Sequence, residues 1–198
     1  MKKKLDEGNY KKIIIEIGSG DGRLLNNLAE FYDKKKTHLI GIETDKEQYR
    51  CSCKKIKKPT KNNIEFINEP FENVFLKLDD NSINTVISVL PHPLYIDKIH
   101  QAKWSSIYKT VLKKIKKKGF FILVTELTDD LLQPVSQADY ISWRKWLVET
   151  FSSIGFKIIR IIDEGSPLCF SSHYLDKFKN DSQRIKIISL VMVKYDMR

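Results

Sequence analysis

Apolar positions along this chain fall into two alternating patterns. Residues 13–17 form a run that is apolar except for Glu16, and residues 23–29 place apolar side chains at helical spacing. An almost unbroken apolar run is typical of a strand buried on both faces of a parallel sheet, and spacing of three and four residues indicates a helix with one buried face. The chain therefore begins with a predicted strand, a tight turn and a helix.

The same alternation continues through the rest of the chain. Further apolar runs predict strands at residues 37–43, 63–69, 83–90, 119–126, 156–162 and 185–193. Helical spacing predicts helices at residues 44–58, 71–79 and 137–154, and one more that buries Ile107, Tyr108, Val111, Leu112 and Ile115. Five strand–helix units and a final strand pair predict an α/β fold with a mostly parallel sheet. Without an internal repeat or a Gly/Ser linker, we expect a single domain over residues 1–198.

The composition narrows the class of protein. The chain has 198 residues, of which 41% are hydrophobic and 30% are charged, as in ordinary globular proteins. No apolar run approaches the ~20 residues that span a membrane, and the charged first residues lack the apolar segment of a signal peptide. Cys51 and Cys53 have no second cysteine pair that would complete a disulfide framework or a metal site. We therefore expect a cytoplasmic protein without a membrane segment or a metal.

The net charge of +10 points to a polyanionic partner, most simply RNA or DNA. An alternative is that an A/T-rich genome supplies the many lysines. The lysine run at residues 113–118 is assigned to the solvated end of a core helix rather than to a membrane-binding helix. Trp143, Trp146 and Phe151 recur at core spacing, so we assign them to the core rather than to base stacking.

Three glycines at alternate positions follow the first predicted strand. Gly18, Gly20 and Gly22 come after Glu16, a spacing that differs from the dinucleotide fingerprint G-x-G-x-x-G. A glycine turn between a strand and a helix brings bare backbone and a positive helix N-terminus close to a ligand. A turn without a ligand and a nicotinamide enzyme are the alternatives.

Acidic residues end the second and third predicted strands. Glu43 lies about 25 residues after Gly18, where nucleotide-binding sheets place an acid on the ribose hydroxyls. Glu69 ends the third strand and precedes Pro70 and Phe71. An alternative for Glu69 is that it complements the dipole of the helix that follows.

Two further segments carry candidate chemistry. The fourth strand leads into a stiff loop in which Pro91 and Pro93 flank His92, at the ligand-binding edge of the sheet. The long connection at residues 163–184 is also a functional candidate, because loops of that length in compact domains usually are.

The glycine turn after Glu16 resembles motif I of the class I S-adenosylmethionine (SAM) dependent methyltransferases. The resemblance extends over nearly the whole chain and implies a Rossmann-like, seven-stranded sheet with helices on both faces and the last strand antiparallel. It implies SAM as the cofactor. By the same resemblance the cofactor-binding residues are Glu16, Gly18, Ser19, Gly20, Gly22, Glu43, Glu69, Phe71 and Leu90.

The loop after the fourth strand resembles that of the tRNA (guanine-N7-)-methyltransferases. Their strand ends in Phe-Pro-Asp-Pro-Trp, and a basic segment and a Thr-Asp pair follow; here the loop runs from Leu90 to Leu94 and the pair is Thr125-Glu126. The resemblance implies RNA, specifically tRNA, as the partner. The substrate-binding residues that it implies are Pro91, Pro93, Lys98, His100, Lys103, Thr125, Ser172 and Tyr174.

The chain departs from that family at several positions. His92 replaces the family's Asp, and Leu94 replaces its Trp. The family also has a Thr-x-Phe-Glu motif between strands six and seven; residues 172–175 correspond to it, and Leu175 stands in place of its Glu. Guanine N7 has a free lone pair, so no general base is required, but the product ring is cationic and a nearby carboxylate would stabilise it. We therefore expect two catalytic residues. Glu126 orients or stabilises the base, and His92 forms a hydrogen bond to the base as a neutral imidazole.

Several of these residues also have a purely structural interpretation, and other substrates are alternatives. His92 can be a loop residue held between prolines, and Lys98, His100 and Lys103 can form a solvated helix entry. The enzyme can act on another RNA base or on a small molecule. The departures also allow a catalytically degenerate subunit that binds SAM or RNA. The oligomeric state is not predicted.

Overall fold

A computed structural model describes residues 11–56, 63–129, 133–165, 167, 175 and 181–195. Seven strands are present: β1 Lys12–Ile17, β2 Thr37–Ile42, β3 Ile64–Ile67, β4 Ile83–Val89, β5 Ile115–Thr128, β6 Phe156–Asp163 and β7 Ile185–Lys194. Within the described ranges, five α-helices have defined bounds: α1 Arg23–Leu28, α2 Lys46–Lys55, α3 Phe71–Lys77, α4 Gln101–Lys114 and α5 Gln137–Ile154.

The strands form one sheet in the order β3-β2-β1-β4-β5-β7-β6. Pairs among β1 to β5 are parallel, whereas β7 runs antiparallel to both β5 and β6. The predicted seven-stranded, mostly parallel sheet with an antiparallel last strand is confirmed. The strand order reverses direction between β1 and β4, which is where open α/β sheets bind their ligands.

Helices cover both faces of the sheet because the strands are apolar on both sides. Ile14 packs with the apolar residues of α1, whereas its neighbour Ile15 packs with the larger cluster that includes α3, α4 and α5. In that larger cluster, Trp104 and Phe151 are completely buried and stack with ring centroids 5.7 Å apart. The aromatic residues of α5 are thus core residues, as predicted.

The start of β5 corrects one sequence expectation. The lysine run was assigned to the end of a helix and the strand to residue 119 onward, but α4 ends at Lys114 and β5 begins at Ile115. The reason is packing: Ile115 is fully buried and pairs with Ile83 of β4. Gly119 allows this path, because a Cβ there would lie 2.7 Å from the Ile115 side chain.

The parallel strands β1 to β5, together with β6, all end at the same side of the sheet, which we call the carboxyl edge. The loops after β1, β2, β3 and β4 meet there next to the point where the strand order reverses. Most of the candidate residues identified in the sequence belong to these loops or to the strand ends that support them.

Candidate active site at the carboxyl edge

The glycine turn after β1 is anchored to β2. The backbone amides of Gly18 and Ser19 both donate to the carbonyl oxygen of Ile42, at 2.9 and 3.0 Å. Gly18, Gly20 and Gly22 have φ values of 69°, 50° and 73°, which L side chains rarely adopt. A Cβ on either of the first two would meet no atom within 4 Å, whereas one on Gly22 would lie 2.5 Å from Phe66. The first two glycines therefore face open space and the third packs against the core.

A first cavity of about 510 Å³ opens beside this turn. Its walls include five of the predicted cofactor-binding residues: Glu16, Gly18, Ser19, Gly20 and Leu90. Glu16 is buried, and among the described residues its Oε2 has no hydrogen-bond partner. Burial raises the pKa of Glu16 well above its usual value, and the charges of Asp21 and Glu43 raise it further. A cationic group in this cavity would satisfy Glu16.

Glu43 holds the glycine turn in place. Its Oε2 accepts a hydrogen bond from the amide of Gly20 at 2.8 Å, and its Oε1 accepts one from the amide of Asp45 at the same distance. The carboxylate predicted to bind a ribose therefore also links the tips of β1 and β2. It remains at the wall of a second cavity.

The second cavity has a volume of about 260 Å³ and lies between β2, α3, α4 and the loop after β4. Three rings line it, those of Phe71, Tyr95 and Tyr108, and the first two have centroids 5.0 Å apart. Further wall residues are Ile17, Gly18, Ile42, Glu43, Thr44, Val89, Leu90, Pro91 and His92. Apolar, ring-lined walls suit a flat aromatic ligand.

The end of β3 differs from the sequence expectation. Glu69 lies 2.5 Å from the Lys77 ammonium and is not among the residues that line either cavity. The preceding residue, Asn68, instead donates from its side-chain amide to the carbonyl oxygens of Glu43 and Thr44, at 2.7 and 3.1 Å. Sequence reasoning missed Asn68, although a polar residue directly after a buried strand was the available signal.

The loop after β4 folds back through a short 3-10 helix, Pro93–Tyr95. Leu90 adopts a φ of 52°, and its amide donates to the carbonyl oxygen of Val124 at 2.7 Å. His92 is exposed at the rim of the second cavity, and its Nδ1 accepts from the Leu94 amide at 3.3 Å. The loop therefore presents the imidazole to the cavity entrance while it holds Nδ1 toward its own backbone.

A tyrosine–carboxylate pair behind this loop was not predicted. The hydroxyl of Tyr95 donates to Oε1 of Glu72 at 2.9 Å. Burial and the Glu72 carboxylate raise the pKa of Tyr95 to about 12. Oε2 of Glu72 is buried without a hydrogen-bond partner among the described residues. Nothing in the sequence marked this contact, because it joins α3 to a loop about 20 residues later.

Glu126 lies near the end of β5, beyond the last residue that pairs with β4. It shares a sheet face with Val124 and pairs with Ile187 of β7. Burial raises the pKa of Glu126 to about 7, and its buried Oε2 has no partner among the described residues. The adjacent Thr125 is fully buried and faces the opposite side of the sheet.

The structure does not bring the two predicted catalytic residues into one cavity. His92 lines the second cavity, whereas Glu126 lines neither cavity and lies on the face of the sheet that carries Glu16. On that face, Glu16 of β1 is paired with Ile87 of β4, which is paired with Ile122 of β5. Glu126 is four residues beyond Ile122 along β5 and so faces the same side. Glu126 therefore lies on the same sheet face as Glu16, but two strands away from it and farther toward the end of β5.

The basic segment before α4 is largely occupied with local contacts. The Nδ1 of His100 lies 2.7 Å from Asp97 Oδ2. Burial would raise the pKa of Asp97, but hydrogen bonds from the His100 amide and ring lower it overall. Lys98 places its ammonium 5.4 Å from the Trp146 ring centroid, and Lys103 is exposed on α4.

Two predicted substrate-binding residues, Ser172 and Tyr174, lie outside the described residues.

The loops of the carboxyl edge carry more acidic than basic side chains. In the described parts of these loops the acids are Asp21, Glu43, Asp45, Glu47, Glu69, Glu72, Asp97, Glu126, Asp129, Asp163 and Glu164. Asp181, in the loop before β7, is a further acid. The bases in these loops, or paired with their acids, are Arg23, Lys46, Lys55, Lys77, Lys98, Arg144, Arg184 and Lys186. The positive net charge of the chain is therefore not concentrated around the cavities.

The described residues contain neither a metal-ion cluster nor a membrane-crossing helix. Within them, no three His, Cys, Asp or Glu side chains are grouped so that they could hold a metal ion, and Cys51 and Cys53 are exposed thiols. In that same part of the chain, no helix is both long and apolar enough to cross a membrane.

Comparison with known sequences gives two matches. A family model described as "Methyltransferase domain" matches residues 9–149. A bifunctional glycosyltransferase/methyltransferase of Fusobacterium nucleatum is 27% identical over 135 residues, a stretch that covers 67% of this chain and 21% of that protein. The match thus extends over about a fifth of the relative's length.

Comparison with solved structures gives similar folds at low identity. An antibiotic-related methyltransferase superimposes with a TM-score of 0.69 at 24% identity, covering 98% of this chain and 94% of the other. The 16S rRNA (adenine(1408)-N(1))-methyltransferase from Catenulisporales acidiphilia, solved with cosubstrate SAM, gives 0.68 at 14% identity, covering 96% and 88%. At these identities the likeness shows the fold alone.

Proposed function

Because the chain belongs to the family of methyltransferase domains and is a SAM-dependent methyltransferase, we propose that it methylates N7 of a guanine in tRNA in the cytoplasm. The observation that carries this proposal is Glu126, a partly buried carboxyl group near the end of β5 whose Oε2 has no hydrogen-bond partner among the described residues. Methylation of guanine N7 creates a positive charge on the ring, and a carboxylate held in place would stabilise that charge as it develops.

The first cavity fits the amino-acid end of SAM. Gly18 and Gly20 leave room for a ligand against their backbone, and the buried, unpartnered oxygen of Glu16 can accept from an ammonium group. Glu43 and Asn68 support the neighbouring loops where the nucleoside end would lie. When bound, SAM supplies an electrophilic methyl group on a sulfonium.

Transfer to guanine N7 requires positioning more than acid–base chemistry. The N7 lone pair forms the new bond to the methyl carbon while the carbon–sulfur bond breaks, and its electron pair stays on sulfur. No proton has to leave the acceptor. We assign the charge-stabilising role to the ionised form of Glu126 and a hydrogen bond to the base to His92 at the rim of the second cavity.

The remaining predicted residues are assigned to binding. Pro91 and Pro93 fix the loop that carries His92, and Thr125 supports the end of β5 beside Glu126. Lys98 and Lys103 are exposed on the way into α4 and can reach phosphates of a docked RNA, whereas His100 is engaged with Asp97.

A small-molecule acceptor is the second candidate, and the acidic rim of the carboxyl edge favours it. A polyanion is repelled by such a rim, whereas a cationic or neutral aromatic compound is not. The second cavity, with the rings of Phe71, Tyr95 and Tyr108, could hold a compound of that kind.

Methyl transfer from labelled SAM separates the two candidates. Unmodified tRNA and a panel of small amines and phenols are offered in parallel, and labelled nucleosides are identified after digestion. N7-methylguanosine is the expected product. Transfer to a small compound, with no label in RNA, would contradict the proposal and favour the second candidate.

A further inference from the structure

Lysines line the side of the sheet opposite to the carboxyl edge. This side is where β1 to β6 begin and where the antiparallel β7 ends. We call it the lysine edge, defined by Lys12, Lys34, Lys35, Lys36, Lys113, Lys114, Lys116, Lys117, Lys118, Lys157 and Lys194. The described acids beside it are Glu30, Asp33, Asp79 and Asp80. Positive charge therefore dominates this side.

Hydrogen bonds join neighbouring segments that carry these lysines. The amide of Lys12 donates to the carbonyl oxygen of Lys36 at 3.0 Å, which joins β1 to the loop before β2. The ammonium of Lys116 lies 3.2 Å from Asn84 Oδ1, and that of Lys194 lies 3.0 Å from the Lys113 carbonyl oxygen. Five spacings of ~4.8 Å separate β2 from β6, so the row is about 24 Å long.

Only part of this charge is neutralised within the protein. Lys36 pairs with Asp33 at 3.0 Å, and Lys114 pairs with Asp80 at 2.7 Å. A larger group has exposed side chains that form no ion pair with another described residue: Lys34, Lys35, Lys113, Lys118 and Lys157. These ammonium groups are available to a polyanion.

A groove of about 540 Å³ adjoins the β6 end of the lysine edge. Val148, Phe156 and Ile158 supply apolar walls, and Tyr195 and Lys157 stand at its side. Tyr195 is 61% exposed, and the Lys157 ammonium lies 4.8 Å from its ring centroid. An exposed ring next to a cation, at the end of a row of lysines, matches the way single strands of nucleic acid are bound.

We propose that the lysine edge binds single-stranded RNA, with phosphates along the lysines and one base in the groove against Tyr195. Lysines that follow one line suit a chain of phosphates, and the apolar groove with its ring gives a base a stacking partner. A membrane surface would call for an amphipathic helix, whereas strand ends build this edge. The inference goes beyond the proposed function, because this edge lies across the sheet from the cavities and does not depend on the acceptor.

Fluorescence anisotropy of a labelled, unstructured RNA of about 12 nucleotides tests the inference without SAM and without turnover. Kd is measured at several salt concentrations for the full chain and for the triple variant Lys113→Glu, Lys118→Glu, Lys157→Glu. We expect the slope of log K against log salt to become shallower by about 2 in the variant. Tyr195→Ala should weaken binding about tenfold.

A charge-matched triple variant is the control: Lys54→Glu, Lys109→Glu, Lys145→Glu, all exposed positions on α2, α4 and α5 rather than residues of the lysine edge. It should bind RNA more tightly than the lysine-edge variant. A second version of the lysine-edge variant, with Gln at the three positions, excludes a folding defect as the cause and should lose affinity too.

Equal losses in the two charge-reversed variants, or wild-type RNA affinity in the lysine-edge variant, would overturn the inference. Binding to vesicles that contain phosphatidylserine but not to the RNA would also overturn it and identify a membrane surface instead. Since no methyl group is transferred, a failure of the proposed tRNA reaction leaves these results unaffected, and the two claims are judged separately.

Discussion

The two ends of the sheet are built from the same strands but carry opposite charge and different packing. β1 begins at Lys12 on the lysine edge and ends after the buried carboxyl group of Glu16 at the carboxyl edge. The carboxyl edge has glycines that face open space and carboxylate oxygens that lack a hydrogen-bond partner in the described part of the chain. On the lysine edge, Gly119 is closely packed, and exposed ammonium groups follow the strand ends.

This difference shows why a net charge is a weak guide to a site. The total of +10 suggested a polyanionic partner, and eleven lysines lie at the lysine edge, on the side of the sheet away from the cavities. Acidic groups surround the place where a sulfonium and a cationic product would lie, which is electrostatically consistent with methyl transfer. On the two proposals made above, RNA binding and methyl transfer occupy opposite ends of one sheet.

The largest expected effect comes from Glu126→Gln at the carboxyl edge. The amide has the same shape but no charge, so kcat on tRNA should fall about a hundredfold while the Kd of SAM changes little. Steady-state kinetics together with calorimetric SAM titration give both quantities. An equal loss of turnover and SAM affinity would contradict the assigned role.

A pair of glycine variants contrasts the edges directly. Gly18→Ala places a methyl group in the open space of the first cavity at a φ of 69°, so we expect SAM binding to weaken about tenfold. Gly119→Ala on the lysine edge would put Cβ 2.9 Å from the Asn84 carbonyl oxygen and should lower the melting temperature with unchanged SAM affinity. Identical behaviour of the two variants would mean that the edges do not differ in this way.

The pH dependence follows from the pKa of Glu126, which is raised to about 7. If the ionised form is needed, kcat should rise about tenfold between pH 6 and pH 8, and the Glu126→Gln variant should lack this rise. Because the folded state favours the protonated carboxyl group, the contribution of Glu126 to stability is complete below its ordinary pKa of 4.5. This contribution is lost as the pH rises through 7.

A thermal scan across that pH range checks the sign of this contribution. The melting temperature of wild type relative to Glu126→Gln should fall between pH 4.5 and pH 7. A rise over the same range would show that the ionised form is the one that the fold stabilises.

The smallest expected effect belongs to the lysine edge. Reversing the charges of Lys113, Lys118 and Lys157 should change the Kd of SAM by less than about twofold, because screening is strong over the length of a strand at physiological salt. Isothermal titration calorimetry at 0.15 M salt provides the measurement. A larger change in the Kd of SAM would show that the two edges are coupled and would contradict the separation of their roles.

The fold was predictable because the strands are nearly continuous apolar runs. β1, β2 and β4 each contribute side chains to the core on both faces, and the predicted strand limits differ from the observed ones by only a few residues. The start of β5 was not predictable in the same way. Four of its first five residues are Lys or Gly, and only the burial of Ile115 against β4 draws them into the sheet.

The part of the candidate site that one short sequence motif forms was predictable. The glycine turn and Glu16 lie together at the first cavity, as the local sequence suggested. Contacts between loops could not be predicted from the local sequence. Glu72 contacts Tyr95, and Asn68 contacts the backbone after β2, because of how the loops meet in space. The sorting of lysines to one edge also depends on strand direction, which composition does not contain.

The most direct test of the proposed reaction is methyl transfer to two tRNA transcripts, one with guanine and one with 7-deazaguanine throughout. The second transcript has carbon in place of N7 and lacks the proposed attacking lone pair, while its phosphates and shape are kept. The account predicts transfer of label from SAM to the guanine transcript and none to the other. Equal labelling of both transcripts would contradict guanine N7 as the acceptor.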